Sequence, residues 1–166
     1  MHEVLSFSSS FYRHIQTALP VGEFRIEIDG TNKFVGIGEL NDEGTGKEVL
    51  VAKETVASEK ETFRLEWNPV NDDDEEQMTF SLFSPLKNSH VSSLRKGPVD
   101  YLGFSDGLPK AKFIANQLKN ENGCVKAKLC LGERFLLIDD QNFLIAYCAE
   151  PKCVTLCFHH LDYANK

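Results

Sequence analysis

The spacing of apolar side chains changes once along this chain, near residue 20. Before it, Phe7, Phe11, Ile15 and Leu19 recur every four residues, which is the repeat of one helical face. Ser6 or Ser8 can cap the start and Pro20 stops the run, so an N-terminal helix with its stripe toward the core is predicted, with His14 on or beside the polar side. After Pro20 the period drops to two. Phe24, Ile26 and Ile28 alternate with Glu23, Arg25, Glu27 and Asp29, and Phe63, Leu65 and Trp67 alternate with Thr62, Arg64 and Glu66. "KFVGIGEL", "KEVLVAKET" and "MTFSLF" complete the set, joined by "DGTN", "NDEGTG", "VASEK" and "NPVNDDDEEQ". Short turn-rich links between alternating runs predict antiparallel strands in a meander, one face to the core and one to water.

From Pro85 to Leu108 no period holds, and Ser, Gly and Pro abound, so the pattern predicts a long connection of the kind that is often functional. Pro109 opens a second predicted helix near 109–121, with Ala111, Ile114, Ala115 and Leu118 on one face and Gly123 as its terminator. "CVKAKLCL", a hairpin turning at Asp139 to Asn142, and a last strand after Pro151 follow. The fold expected is α+β: mainly antiparallel meanders, in two sheets or one strongly curved, barrel-like sheet, with two helices. Its core holds Phe24, Ile26, Phe63, Leu65, Trp67, Phe80 and Phe158. Residues 1–166 are expected to form a single domain, with 85–108 as the place where a division would fall. No internal repeat is visible.

Charge sharpens this picture. Of a net −7, residues up to Ser84 carry −10 (seven Lys/Arg against seventeen Asp/Glu) and the remainder +3 (eleven against eight). An acidic body disfavours nucleic-acid binding, which draws on cationic neutralisation of phosphate, and speeds encounter with a basic protein partner. Between Lys87 and Lys128 eight Lys/Arg face three Asp/Glu, a local +5, with His90, Tyr101, Phe104 and Phe113 interspersed. Cations among aromatics can serve single strands, but a mobile loop followed by a helix with a basic outer face is the favoured explanation. The N-terminus has neither a basic leader before a long apolar run nor a span-length apolar segment, and the five cysteines are an odd number. Together these predict reduced thiols in the cytoplasm and no membrane partner.

The stretch "CVTLCFHHLDY" (Cys153–Tyr163) is the most reactive-looking part of the chain. As a strand it puts Val154, Leu156 and Phe158 on the apolar face and Cys153, Thr155, Cys157 and His159 on the other. Strand rise then separates Cys153 and Cys157 by about 13 Å, whereas two ligands of one zinc ion must lie within about 4–5 Å. No C-x-x-C pair exists, so no metal is expected and buried, reduced thiols are. As nucleophiles, Cys157 beside His159 and Cys130 near Lys126 and Lys128 are the candidates. "GTGK" (Gly44–Lys47) lacks the outer Gly and the following Ser/Thr of a phosphate loop, with Asn41 and Glu48 in those places. "NDDDEEQ" lacks the Gly and spaced Glu of a calcium loop.

These readings favour a small acidic, non-enzymatic protein-binding module, of inhibitor, immunity or secretion-chaperone type, without cofactor. Its binding residues are expected on the acidic face and the 85–108 connection: Glu27, Glu66, Asp72, Asp73, Asp74, Arg95, Lys96, Tyr101 and Phe104. The alternatives are a small-ligand pocket inside a curved sheet and, third, a thiol-dependent enzyme.

Overall fold

The computed structural model describes residues 22–40, 47–54, 61–68, 79–96, 98–105, 107–121, 124–147 and 153–161. They form thirteen strands, and no helix occurs among them. The first four are β1 (Glu23–Ile28), β2 (Lys33–Leu40), β3 (Lys47–Lys53) and β4 (Phe63–Trp67). Next come β5 (Phe80–Ser84), β6 (Ser89–His90), β7 (Ser92–Lys96), β8 (Val99–Gly103) and β9 (Phe113–Glu121). The chain continues through β10 (Cys124–Leu131), β11 (Arg134–Ile138), β12 (Leu144–Tyr147) and β13 (Leu156–His160).

All pairings are antiparallel. Six strands close a ring, β1–β4–β5–β9–β10–β13 and back to β1. Three hairpins, β2–β3, β7–β8 and β11–β12, stand on it and meet one another. Val49 faces Gly103, Ile145 faces Tyr101, and Val51 bridges Phe143. Residues 23–67, 80–121 and 124–160 are thus three copies of one unit, in which two ring strands flank a hairpin; this is a β-trefoil. Closure removes the free sheet edges that an open meander would expose.

The repeat that is invisible in the sequence appears in the register. Phe24 pairs with Phe63, Phe80 with Phe113, and Val125 with Phe158, at corresponding places in the three units. The five phenylalanines are fully buried, and Phe24 and Phe158 meet edge to face at 5.2 Å. Aromatic rings at these positions fill the ring's interior. Leu65 and Trp67 are half-buried against the same core.

The α+β expectation is therefore corrected to all-β for the described residues. The helix at Phe7–Leu19 lies outside them. The helix near 109–121 is instead β9, and a bulge explains the misreading. Ala111, Phe113 and Ala115 alternate inward as a strand requires. Register then shifts, since Lys126 faces Lys119 while Lys128 faces Asn116, and Gln117 takes a φ of 54°. The extra residue returns Leu118 to the core three positions after Ala115, which imitates helical spacing. The 85–108 connection is also corrected, because it holds β6, β7 and β8. The hairpin turn at Asp139–Asn142 is present: Asp139 Oδ1 accepts from the Gln141 and Phe143 amides at 2.9 and 2.8 Å, and Asn142 supplies the left-handed residue at φ 68°.

Candidate functional site

Two places gather chemistry on the outside of the ring. The first involves β13, which lies between β1 and β10. The apolar face expected of the tail is found: Leu156 and Phe158 are buried and Val154 packs against the core. The strand starts at Leu156, so Cys153 precedes it. On the outer face Cys157 lies opposite Glu27 on one side and Lys126 on the other. Its thiol meets Asp29 Oδ1 at 3.5 Å, and His159 Nε2 pairs with Glu27 Oε1 at 2.7 Å. Lys126 Nζ reaches Glu121 at 3.1 Å and Asp29 at 3.3 Å, contacts that keep the amine protonated well beyond its ordinary range.

Burial, then the neighbouring Cys124 and Asp29, push the Cys157 thiol far up. Burial likewise raises Cys124, partly offset by the neighbouring Cys157 and by Lys126. That environment favours the protonated thiol, the wrong state for a nucleophile. Cys130, the other thiol candidate, is buried with Asn116 Nδ2 at 3.0 Å from its sulfur. Among the described residues no three His, Cys, Asp or Glu side chains converge as an ion's donors.

The second place is an open cleft of about 290 Å³ beside β6, between it and the β8–β9 connection. Ser89, His90, Ser92, Ser105, Leu108 and Lys110 line it, with Gly107 at its mouth. Gly107 takes a φ of 86° there, a turn that suits glycine. Lys110 is held by its bridge to Ser92, and the next residue, Ala111, donates its amide to the Val91 carbonyl at 2.8 Å. His90 is fixed from two sides. It stands edge-on to Phe83 at 5.1 Å, itself covered by the Arg64 guanidinium at 4.8 Å, and its Nε2 meets Glu66 Oε1 at 2.7 Å. The cleft lining is thus mostly polar, a lysine, a histidine and three serines beside one leucine.

The His90 hydrogen bond is the main reason Glu66 titrates below its ordinary 4.5, with the charges of His90, Lys110 and Arg64 adding to it against partial desolvation. A depressed carboxylate contributes stability above its unfolded pKa and loses it as pH falls through the folded value. In His90→Ala, Glu66 should therefore titrate closer to 4.5. The wild-type advantage in denaturation midpoint should be largest at neutral pH and shrink in acid below Glu66's folded pKa, leaving the part due to the Phe83 contact. Carboxyl-carbon NMR titration and urea melts from pH 7 to pH 3 check both.

The residues expected to bind do not assemble into one surface. Glu66 stands beside the cleft, while Glu27 pairs with His159 on another face. Tyr101 meets Phe143 edge to face at 5.7 Å in a small second core with Leu40, Val49 and Leu94. Phe104 is half-buried against the main core. Arg95 Nε lies 4.0 Å from buried Asp100, and Lys96 ends β7 opposite Val99. Asp72, Asp73 and Asp74 lie outside the described residues, as do Gly44 to Gly46 of "GTGK". Sequence reasoning named His90 only in passing and overlooked Lys110, Ser89 and Ser105 as a group, because loop closure brings them together and no spacing rule does.

No protein-family model and no curated protein matches the chain. Solved structures do match in shape. A water-soluble chlorophyll protein from Brassica oleracea var. Botrytis, solved with chlorophyll b, aligns at a TM-score of 0.64 and 12% identity, over 86% of this chain and 94% of that one. Type II water-soluble chlorophyll-binding proteins align at 0.62 and 11%, with the same coverage. Lysenin in complex with phosphocholine aligns at 0.56 and 11%, over 87% of this chain and 46% of lysenin. None of these descriptions names an inhibitor or a chaperone, and those two expectations are withdrawn. No described segment is a helix long and apolar enough to cross a membrane. At these identities the similarity establishes the fold, an all-β closed sheet shared with the water-soluble chlorophyll proteins.

Proposed function

We propose that this chain is a small-ligand-binding protein that uses the outer cleft at His90 and Lys110. The observation that carries the reading is the contrast between the two candidate places for a ligand. The ring's interior is occupied by Phe24, Phe63, Phe80, Phe113 and Phe158, which argues against a pocket inside the curved sheet. The outer cleft is open space lined by Lys110, His90 and three serines. Apolar walls with a few convergent polar groups mark most ligand sites, and about 300 Å³ is the lower end of their range. A cleft of about 290 Å³ suits a group no larger than a sugar ring or a phosphate ester. A tetrapyrrole is far too large for it, so the pigment of the chlorophyll proteins does not carry over. Lysenin in complex with phosphocholine, a headgroup with an anionic phosphate and a cationic trimethylammonium, supports a small phosphate-bearing ligand on this type of fold, although fold alone fixes no ligand.

An anionic ligand would set its charge against Lys110 and take hydrogen bonds from Ser89, Ser92 and Ser105. A charge-assisted hydrogen bond is worth about 1.5–3 kcal/mol, which corresponds to roughly tenfold or more in affinity. Lys110→Ala should therefore weaken binding of phosphocholine or inorganic phosphate at least about tenfold and leave the denaturation midpoint unchanged. Amide chemical-shift titration reads this directly. Shifts at Ser89, His90, Ser105 and Lys110 are expected; their absence with both probes and with neutral monosaccharides would remove the proposal. The protein-partner reading draws on Glu27, Glu66, Arg95, Lys96, Tyr101 and Phe104, which do not form one surface, and on Asp72, Asp73 and Asp74, which lie outside the described residues. Five cysteines, an odd number, support a reducing compartment such as the cytoplasm.

A further inference from the structure

We propose that Cys124 and Cys157 are a reversible oxidation site, which hydrogen peroxide closes to a disulfide joining β10 to β13. Cys153 lies outside β13, and strand pairing gives Cys157 a different companion. Lys126 faces Cys157 and Val125 faces Phe158, so Cys124 stands on the same outer face, diagonal to Cys157. Diagonal neighbours lie about 7–8 Å apart, less at the side chains, near the limit of about 7 Å between the α-carbons of a disulfide. Each thiol is among the groups that shift the other's titration, as neighbours on one face do. Closure therefore needs only a small approach of two strands that are neighbours in the ring.

The surroundings assign the order of events. Cys124 shares its face with the Lys126 ammonium, whereas Cys157 is set against the Asp29 carboxylate, which disfavours a thiolate. Glu27 and His159, paired with each other, Arg25 opposite His159, and Glu121 at the end of β9, bound to Lys126, are further charged groups around the two sulfurs. Cys124 is the attacking sulfur. Its thiolate displaces hydroxide from peroxide, forming a sulfur–oxygen bond as the oxygen–oxygen bond breaks; the hydroxide takes up the thiol's proton and leaves as water. The sulfur of Cys157 then attacks the sulfenic sulfur of Cys124. The disulfide forms, the sulfur–oxygen bond breaks, and a second water leaves with the proton of Cys157. Two thiols and one peroxide give one disulfide and two waters, two electrons passing from sulfur to peroxide. Dithiothreitol reverses the change by thiol exchange. Because both thiols are held protonated, the reaction is slow at neutral pH and accelerates in alkali.

The test uses the full reduced chain, treated with hydrogen peroxide while folded, then alkylated in denaturant and mapped by peptide mass spectrometry. The expected result is loss of two of the five alkylatable thiols, one cross-linked peptide joining Cys124 to Cys157, and recovery of both thiols with dithiothreitol. Cys153→Ser should give the same cross-link, and Cys124→Ser and Cys157→Ser should not. The wild-type and Cys153→Ser maps decide the matter even where a variant folds poorly. A cross-link that uses Cys130, Cys148 or Cys153 instead would overturn the proposal. So would sulfinic acid at Cys124 without a cross-link, or retention of all five thiols by the folded protein.

Discussion

Phe158→Ala should lower stability by about 3–5 kcal/mol, the usual cost of truncating a fully buried phenylalanine. Phe158 is 1% exposed and stands at the point where the third unit closes onto the first. Its ring meets Phe24 at 5.2 Å, and its backbone pairs with Ile26 on one side and Val125 on the other. Truncation leaves a void that the neighbouring phenylalanines cannot fill, because each is anchored in its own strand and paired across the ring. For a chain of this size the melting temperature should fall by roughly 10 °C. Tyr147→Ala is the control: Tyr147 is 43% exposed, and surface changes usually stay within about 0.5 kcal/mol. Equal midpoints for the two variants in urea would show that the ring is not the cooperative core described.

Gly103→Ala should be the other damaging change, by overpacking instead of loss. Gly103 ends β8 where the three hairpins meet, facing Val49 on β3 and Ser92 on β7. A β-carbon there would collide with the Glu48 carbonyl oxygen and lie 3.0 Å from both the Val49 α-carbon and Leu94 Cδ1. Two of those three atoms are backbone, so no side-chain rotation relieves the clash. The strands must part, which also threatens the 3.0 Å bond from the Phe104 amide to Glu48. Overpacking costs about 1–3 kcal/mol, occasionally more. Loss of stability should be accompanied by faster amide exchange around Val49 and Phe104. An unchanged midpoint with native exchange rates would count against the hairpin junction as placed here.

The sequence was most legible where one strand face is buried and the other wet. Alternation in "EFRIEID" and "ETFRLEW" located β1 and β4 and their core residues, since a pleated strand turns alternate side chains to opposite faces. It was least legible in two circumstances. A bulge at Gln117 converted an alternating strand into one with helix-like spacing, and short strands β6, β7 and β8, two to five residues each, are too brief to show any period. The candidate cleft lies in that same unreadable stretch. Its lysine and histidine come from residues twenty positions apart, brought together when Lys110 bridges Ser92.

From the chain alone came the strand character of most of the molecule, five fully buried core residues, the turn at Asp139–Asn142 and the outward placement of Cys157 beside His159. Each is a local matter of side-chain alternation or turn chemistry. Only the tertiary structure decided that the strands close into a threefold ring, that Cys157 has Cys124 as its companion, and that His90 and Lys110 share one cleft. Those facts depend on which strands become neighbours, and hydrogen-bond pairing between distant segments leaves no periodic trace in the sequence that encodes it.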